Sequence, residues 1–281
     1  MKQILLMIAV VALVAGCGTT KVDPNAPANI TDPIVEEAIR KAVGKPTGQL
    51  TKVDLDWGVY ELSLFRKQIT DASLKEVAKL RNLEKLYLTG TQITDAGLKE
   101  VSKLQQLTWL NLELTEITDA GLKDVAKLQN LNQLYSDRTQ ITDAGLKEVA
   151  NLQQLTVLAL YDTKITDVGL KEVAKFQNLG SLSLRGTQIT DAGLKEIAKL
   201  QELGLLDLID TKITDEGLKE VAKLQQLTNL NLGVTKITDA GLKDVAKLQK
   251  LEWLTLDDTV ITDAGVAELK KALPNCQIDG P

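Results

Sequence analysis

The 281-residue sequence predicts an α/β solenoid, in which strand–turn–helix units stack side by side and share one parallel sheet of about ten strands. Three observations carry this prediction. Threonine recurs at 91, 115, 139, 163, 187, 211, 235 and 259, in steps of 24 residues with no gap. Each stands two residues before an isoleucine followed by Thr-Asp, as in Ile93-Thr94-Asp95 and Ile213-Thr214-Asp215, and an earlier copy at Ile69-Thr70-Asp71 carries Lys67 in the threonine's place. Within each unit the apolar residues switch from strand spacing to helix spacing. Self-similarity at such a period is the mark of a repeat array.

The unit that starts at Leu83 shows how each element arises. Leu83, Leu86 and Leu88 give L-x-x-L-x-L, and 86 and 88 alternate with 85, 87 and 89 as in a half-buried strand. Thr91 and Ile93 follow. Leu98, Val101, Ser102 and Leu104 then recur at the spacing of one helix face. Thr94 is placed to cap that helix, and Asp95 puts a negative charge at the positive end of its dipole. Helix and loops together supply about 20 residues, enough for the crossover that parallel strands require. One unit cannot bury both its strand and its helix leucines, so the core exists only between stacked units.

The pattern L-x-x-L-x-L-x-x-T-x-I-T-D-x-G-L resembles the leucine-rich-repeat family, and more narrowly its bacterial version common in planctomycete-type genomes. The resemblance covers most of the chain, residues 59–278. It implies a leucine-rich-repeat solenoid: a right-handed β-α superhelix with a curved sheet and helices on the convex side. It also implies a ladder of hydrogen bonds from Thr91 and its equivalents to loop backbone inside the curve.

The remaining segments follow in chain order. Residues 1–16 read as a signal peptide, because Lys2 precedes an apolar run from Ile4 to Val14 that is too short for a membrane span. Val14-Ala15-Gly16-Cys17 resembles the lipobox of bacterial lipoproteins. That resemblance implies lipid on the Cys17 sulfur, cleavage before Cys17, and anchoring in the cell envelope. Gly18 after Cys17 fits the outer membrane if the host is Gram-negative; otherwise the outer face of the plasma membrane is expected. Residues 17–29 lack apolar periodicity and read as a flexible tether roughly 20 Å long. Residues 30–58 contain Ile34, Val35, Ala38, Ile39 and Val43 at helix spacing and, with Gly44-Lys45-Pro46-Thr47-Gly48, resemble the amino-terminal cap of bacterial leucine-rich-repeat proteins. The repeat domain fills 59–281. Val59, Leu62 and Leu64 fit its first strand, and Leu273, Cys276 and Ile278 repeat the strand spacing two residues early, which puts Cys276 at the second-leucine position of a closing strand.

Composition excludes several chemistries. With 44% hydrophobic and 3% aromatic residues the chain is aliphatic and foldable rather than disordered. A net charge of −5 gives no basic surface for phosphate, so no nucleic-acid partner is expected. There is no histidine, which removes Ser-His-Asp and Cys-His catalysis and the commonest zinc sets. Asp95 and its equivalents are accounted for by helix capping. Asp162, Asp210, Asp257 and Asp258 follow strands but match no calcium-loop spacing. If Cys17 is lipidated, Cys276 has no disulfide partner. No catalytic residue, metal or cofactor is expected.

The copies differ mainly on the outward strand positions. The column after the second leucine reads Tyr87, Asn111, Tyr135, Ala159, Ser183, Asp207, Asn231 and Thr255, and the column before it reads Lys85, Trp109, Gln133, Val157, Ser181, Leu205, Asn229 and Trp253. The resemblance places both on the concave face. Tyr87, Trp109, Tyr135 and Tyr161 occupy four successive strands, which predicts an aromatic stripe about 15 Å across. Glu113, Arg185, Asp207 and Trp253 complete the candidate ligand-binding surface, since Tyr and Trp combine contact area with a polar tip. Ser136 breaks the pattern inside the core, where Leu112 and Leu160 stand in neighbouring copies. The expected function is that of a monomeric, lipid-anchored envelope protein that binds another protein and is not an enzyme. Glycan or peptidoglycan binding and a structural spacer without a ligand are the alternatives.

Overall fold

The computed structural model describes residues 23–280. The signal segment, Cys17 and the first part of the tether lie outside the described residues. Two helices come first, α1 (Pro33–Val43) and α2 (Lys52–Gly58). Ten strands follow: β1 (Glu61–Ser63), β2 (Lys85–Tyr87), β3 (Trp109–Asn111), β4 (Gln133–Tyr135), β5 (Val157–Ala159), β6 (Ser181–Ser183), β7 (Leu205–Asp207), β8 (Asn229–Asn231), β9 (Trp253–Thr255) and β10 (Gln277–Asp279). Between them lie α3 (Asp71–Val77), α4 (Asp95–Val101), α5 (Asp119–Val125), α6 (Asp143–Val149), α7 (Asp167–Val173), α8 (Asp191–Ile197), α9 (Asp215–Val221), α10 (Leu242–Val245) and α11 (Asp263–Ala272). The strands form one sheet in chain order, every neighbouring pair parallel.

Register follows the repeat. Leu86 pairs with Leu110, Leu110 with Leu134 and Leu134 with Leu158, so equivalent residues stack. The middle residue of each strand from β1 to β9 is buried and its two neighbours face outward, as period-two alternation requires, while Ile278 of the last strand is half-buried. The leucines inside, the helix leucines and valines, and Ile93 with its equivalents form one continuous apolar core.

Two polar ladders hold the stack. The buried Thr91 hydroxyl donates to the Leu88 carbonyl at 2.7 Å, and each equivalent threonine does the same three residues back. This ladder therefore satisfies strand-end carbonyls within each repeat and does not cross between repeats. The crossing ladder belongs to the aspartates. Asp95 accepts from the Thr118 backbone N–H at 2.9 Å and from the Thr118 hydroxyl at 2.6 Å, one repeat ahead. The same pair of bonds recurs from Asp71–Thr94 to Asp239–Thr262. Helix capping thus accounts for only part of what these acids do: Thr118 caps α5 through the Ala120 N–H, while Asp95 ties two repeats together.

The clamp also explains the glycine of Asp-Ala-Gly-Leu. A Cβ on Gly121 would collide with the Asp95 carboxylate and with Leu98 of the preceding repeat. Ser73 takes this position in α3, the first repeat helix, where no aspartate precedes it by one repeat. A second backbone requirement falls two residues after each strand pair of leucines. Arg66, Gly90, Leu114, Arg138, Asp162, Gly186, Asp210, Val234 and Asp258 all have positive φ at this one repeat position. Asp162, Asp210 and Asp258 stand there as residues that tolerate the left-handed region, which gives them a conformational reason.

The ends depart from expectation in two places. Residues 24–28, within the segment expected as a flexible tether, are bonded to the cap: Val53 N–H donates to the Pro24 carbonyl, Lys52 N–H to Ala26, and Ala28 N–H to Leu50, with Ala28 buried. The close of the array also differs from the reading of Cys276. Ile278, not Cys276, pairs with Leu254, and Gln277 N–H donates to the Glu252 carbonyl at 2.8 Å. The sheet keeps its 24-residue register because α11 is a longer helix of 10 residues and delivers Cys276 just ahead of the strand, still buried.

Candidate functional site

The outward side chains of β2 to β6, with the residue just beyond each strand, make the most differentiated surface of the sheet. Parallel pairing puts Tyr87, Trp109 and Tyr135 on neighbouring strands, in adjacent columns. Their rings meet. Tyr87 and Trp109 are tilted with centroids 5.8 Å apart, and Trp109 and Tyr135 are stacked at 4.8 Å. Trp109 is half-buried between the tyrosines, and its indole N–H has no hydrogen-bond partner. The Tyr135 hydroxyl donates to Gln133 Oε1 at 3.0 Å.

Tyr161 is separate from this row. Its ring carries the guanidinium carbons of Arg138 and Arg185 at 4.8 Å and 5.0 Å from the centroid. Arg138 also donates to the Tyr161 hydroxyl at 2.7 Å and pairs with Asp162. The predicted stripe of four aromatics is therefore a stack of three beside a cationic clasp around the fourth. Glu113 extends the row beyond β3, where its N–H donates to Asn111 Oδ1. Asp207, on β7, accepts from the Ser183 hydroxyl and the Ile209 N–H. Trp253 is not brought to the group: it lies on β9, four strands beyond β5 in the sheet order, and is 41% exposed.

Sequence reasoning missed Asp137, which stands between the stack and the clasp. Its carboxylate accepts from the Tyr161 N–H at 2.7 Å. Burial pushes its pKa up to about 6, that hydrogen bond opposes the rise, and the charges of Glu113 and Asp207 add to it. Burial also raises the Tyr135 hydroxyl, with Tyr87 and Asp137 contributing. The column Thr89, Glu113, Asp137, Tyr161, Arg185, two residues past the strands, contained the signal, because it sets two carboxylates, Glu113 and Asp137, side by side on adjacent repeats.

Beneath this surface, between Tyr135 and Asp137, Ser136 points into the core. It is fully buried and its hydroxyl has no partner. Among the described residues no group of three His, Cys, Asp or Glu side chains is arranged to hold a metal ion. The surface offers aromatic rings, two guanidinium groups and a desolvated carboxylate, side chains suited to binding.

Comparison with known proteins bears on the fold. A family model described as Leucine Rich repeat matches residues 79–102 and 177–198. Among solved structures, a leucine-rich-repeat protein of Leptospira interrogans is 30% identical with a TM-score of 0.56, over 73% of this chain and 51% of that one. This chain thus spans about half the length of the Leptospira protein. Internalin C2 of Listeria monocytogenes is 28% identical with a TM-score of 0.52, over 92% of this chain and 100% of that one. A second Listeria monocytogenes internalin, 24% identical with a TM-score of 0.57 over 92% of both chains, shares the fold. No curated protein matches in sequence. The chain is built of leucine-rich repeats, and its fold is an α/β leucine-rich-repeat solenoid.

Proposed function

We propose that this chain is a binding protein of the bacterial cell envelope, held by lipid on Cys17, which engages a protein partner through the outward face of β2 to β6. The observation that carries the reading is the continuous row Tyr87–Trp109–Tyr135, with Asp137 and the Arg138–Tyr161–Arg185 clasp beside it. Half-buried aromatics flanked by arginine have the composition of interface hot spots. The row argues against a glycan ligand. Sugars stack on open ring faces, whereas Trp109 and Tyr135 spend their facing sides on each other. A spacer without a ligand has no use for such a cluster at one place in an otherwise repetitive sheet.

The lipobox-like run ending in Cys17 supports the anchor, and the likeness to proteins of Leptospira and Listeria supports a bacterial host. No helix among the described residues is long and apolar enough to cross a membrane. The chain acts as a monomer, without catalysis, in this reading. Crosslinking pull-down in the native host identifies the partner. Trp109→Ala with Tyr135→Ala then weakens that partner's binding by more than about tenfold, as loss of two hot-spot aromatics should; unchanged affinity would sink the assignment. Anchoring is tested apart, by whether Cys17→Ser moves the protein from the membrane to the soluble fraction.

A further inference from the structure

Helix α2 buries one residue, Leu55, against the core and presents an apolar face on its other side. It is fixed by a capping box in which Thr51 and Asp54 bond each other's backbone N–H. Val53 and Trp57 lie one turn apart, opposite Leu55, and are 39% and 63% exposed. Tyr60, just past the helix, is 46% exposed. Folding gives no reason for a tryptophan to stand in water there, and three large apolar side chains do so within eight residues.

Next to this face a groove of about 530 Å³ runs between α2 and the ends of α3 and α4. Lys52, Lys75, Lys79, Arg81 and Lys103 line it against two carboxylates, Asp56 and Glu100. Lys79 and Lys103 are paired with Glu76 and Glu100, whereas Lys52, Lys75 and Arg81 have no ion-pair partner among the described residues. In a chain of net charge −5 this is a local excess of positive charge. The same place receives the start of the described chain. Pro24 and Ala26 are bonded to Val53 and Lys52, and Pro27 is bridged to Thr51. Cys17 is six residues before Asp23, a reach of at most about 20 Å.

We propose that Val53, Trp57 and Tyr60, with the unpaired cations of the adjoining groove, dock the amino-terminal end of the solenoid on an anionic lipid bilayer. This rests on the envelope anchoring proposed above and adds orientation to it. Tryptophan and tyrosine settle at headgroup depth, and lysine and arginine draw in anionic headgroups. Lipid on Cys17 holds the protein to the surface; the docked face fixes which end meets it, leaving β10 farthest from the bilayer.

The test uses the chain from Gly18 onward, which lacks Cys17 and the apolar leader. All its core residues lie between Ala28 and Cys276, so the fold is retained. It is sedimented with vesicles of phosphatidylethanolamine and phosphatidylglycerol, and in parallel with phosphatidylcholine vesicles. At least about tenfold more protein is expected on the anionic vesicles, falling with added salt. Trp57→Ser with Val53→Ser should abolish the difference, and Lys52→Glu with Arg81→Glu should reduce it, while circular dichroism stays unchanged. Equal sedimentation with both vesicles, none with either, or full binding by the Trp57→Ser variant would overturn the proposal. Acylation of Cys17 is read separately, by labelled palmitate on the full chain in a bacterial host, so failure of the anchor and failure of the docking face remain distinct.

Discussion

Replacing Ser136 with leucine should make the protein more stable. Ser136 is fully buried between Leu112 and Leu160, both also at 0% exposure, and its hydroxyl has no partner. Leucine adds roughly three methylene equivalents of apolar burial, about 2.4 kcal/mol at about 0.8 per methylene. Removing an unpaired buried hydroxyl contributes about 1–3 kcal/mol more. Overpacking opposes this by about 1–3 kcal/mol wherever the repeat has closed around the smaller side chain. A net gain of about 3–5 kcal/mol follows if the leucine-sized space is open, and little or none if it is closed. Urea unfolding reads it as a higher midpoint at unchanged slope. Ser136→Ala, measured beside it, isolates the hydroxyl and should give about 1 kcal/mol. A leucine variant less stable than wild type beside a stabilised alanine variant would mean the space is closed. If the alanine variant also lost stability, the hydroxyl would have a partner, and the reasoning would fail at its premise.

Three further outcomes are expected. Val234 is β-branched at φ 56°, and Val234→Asn should raise the midpoint by about 1 kcal/mol, with no change refuting the strain. Gly121→Ala should destabilise by about 1–3 kcal/mol because its methyl displaces the Asp95 clamp, and Asp95→Ala in the same background should cost little further if the two share one cause. Asp137 has a folded pKa raised to about 6 from 3.8, so the native state binds its proton more tightly than the unfolded chain. Its contribution is present below the unfolded pKa and is lost as pH rises from about 4 to 6. Asp137→Asn should therefore gain about 1–3 kcal/mol over wild type at pH 7 and little at pH 4; a pH-independent difference in urea midpoints would contradict the shift.

The fold was legible because one period repeats both its apolar and its polar positions. Leucine spacing fixed strands and helices, and the register of Leu86 with Leu110 follows from equal repeats. Cys276 was misplaced because L-x-x-C-x-I copies the leucine spacing locally, while a longer last helix shifts the frame, which only the pairing of Ile278 with Leu254 reveals. Asp95 satisfied a capping rule within its own helix, so nothing local pointed to Thr118. The aromatic row was legible as residues on neighbouring strands, but its division was not. Ring contact of Trp109 with Tyr135, and capture of Tyr161 by two arginines, depend on rotamers that a column of letters does not contain. The altered acidity of Asp137 was invisible for a related reason: it comes from burial and from the charges of Glu113 and Asp207 on other repeats.

The variable length of the last helices shows which layer carries the measurement of the repeat. α10 has 4 helical residues and α11 has 10, yet Asn229, Trp253 and Gln277 remain in line across β8, β9 and β10. The sheet works as a ruler and the helical layer as slack that takes up the difference. An engineer who wished to graft a peptide or fluorophore site onto this scaffold would place it in that outer layer, where helices of 4 and 10 residues are both accepted within the same 24-residue spacing. The ruler face would then keep its spacing, and with it the positions of the rings and charges that face outward.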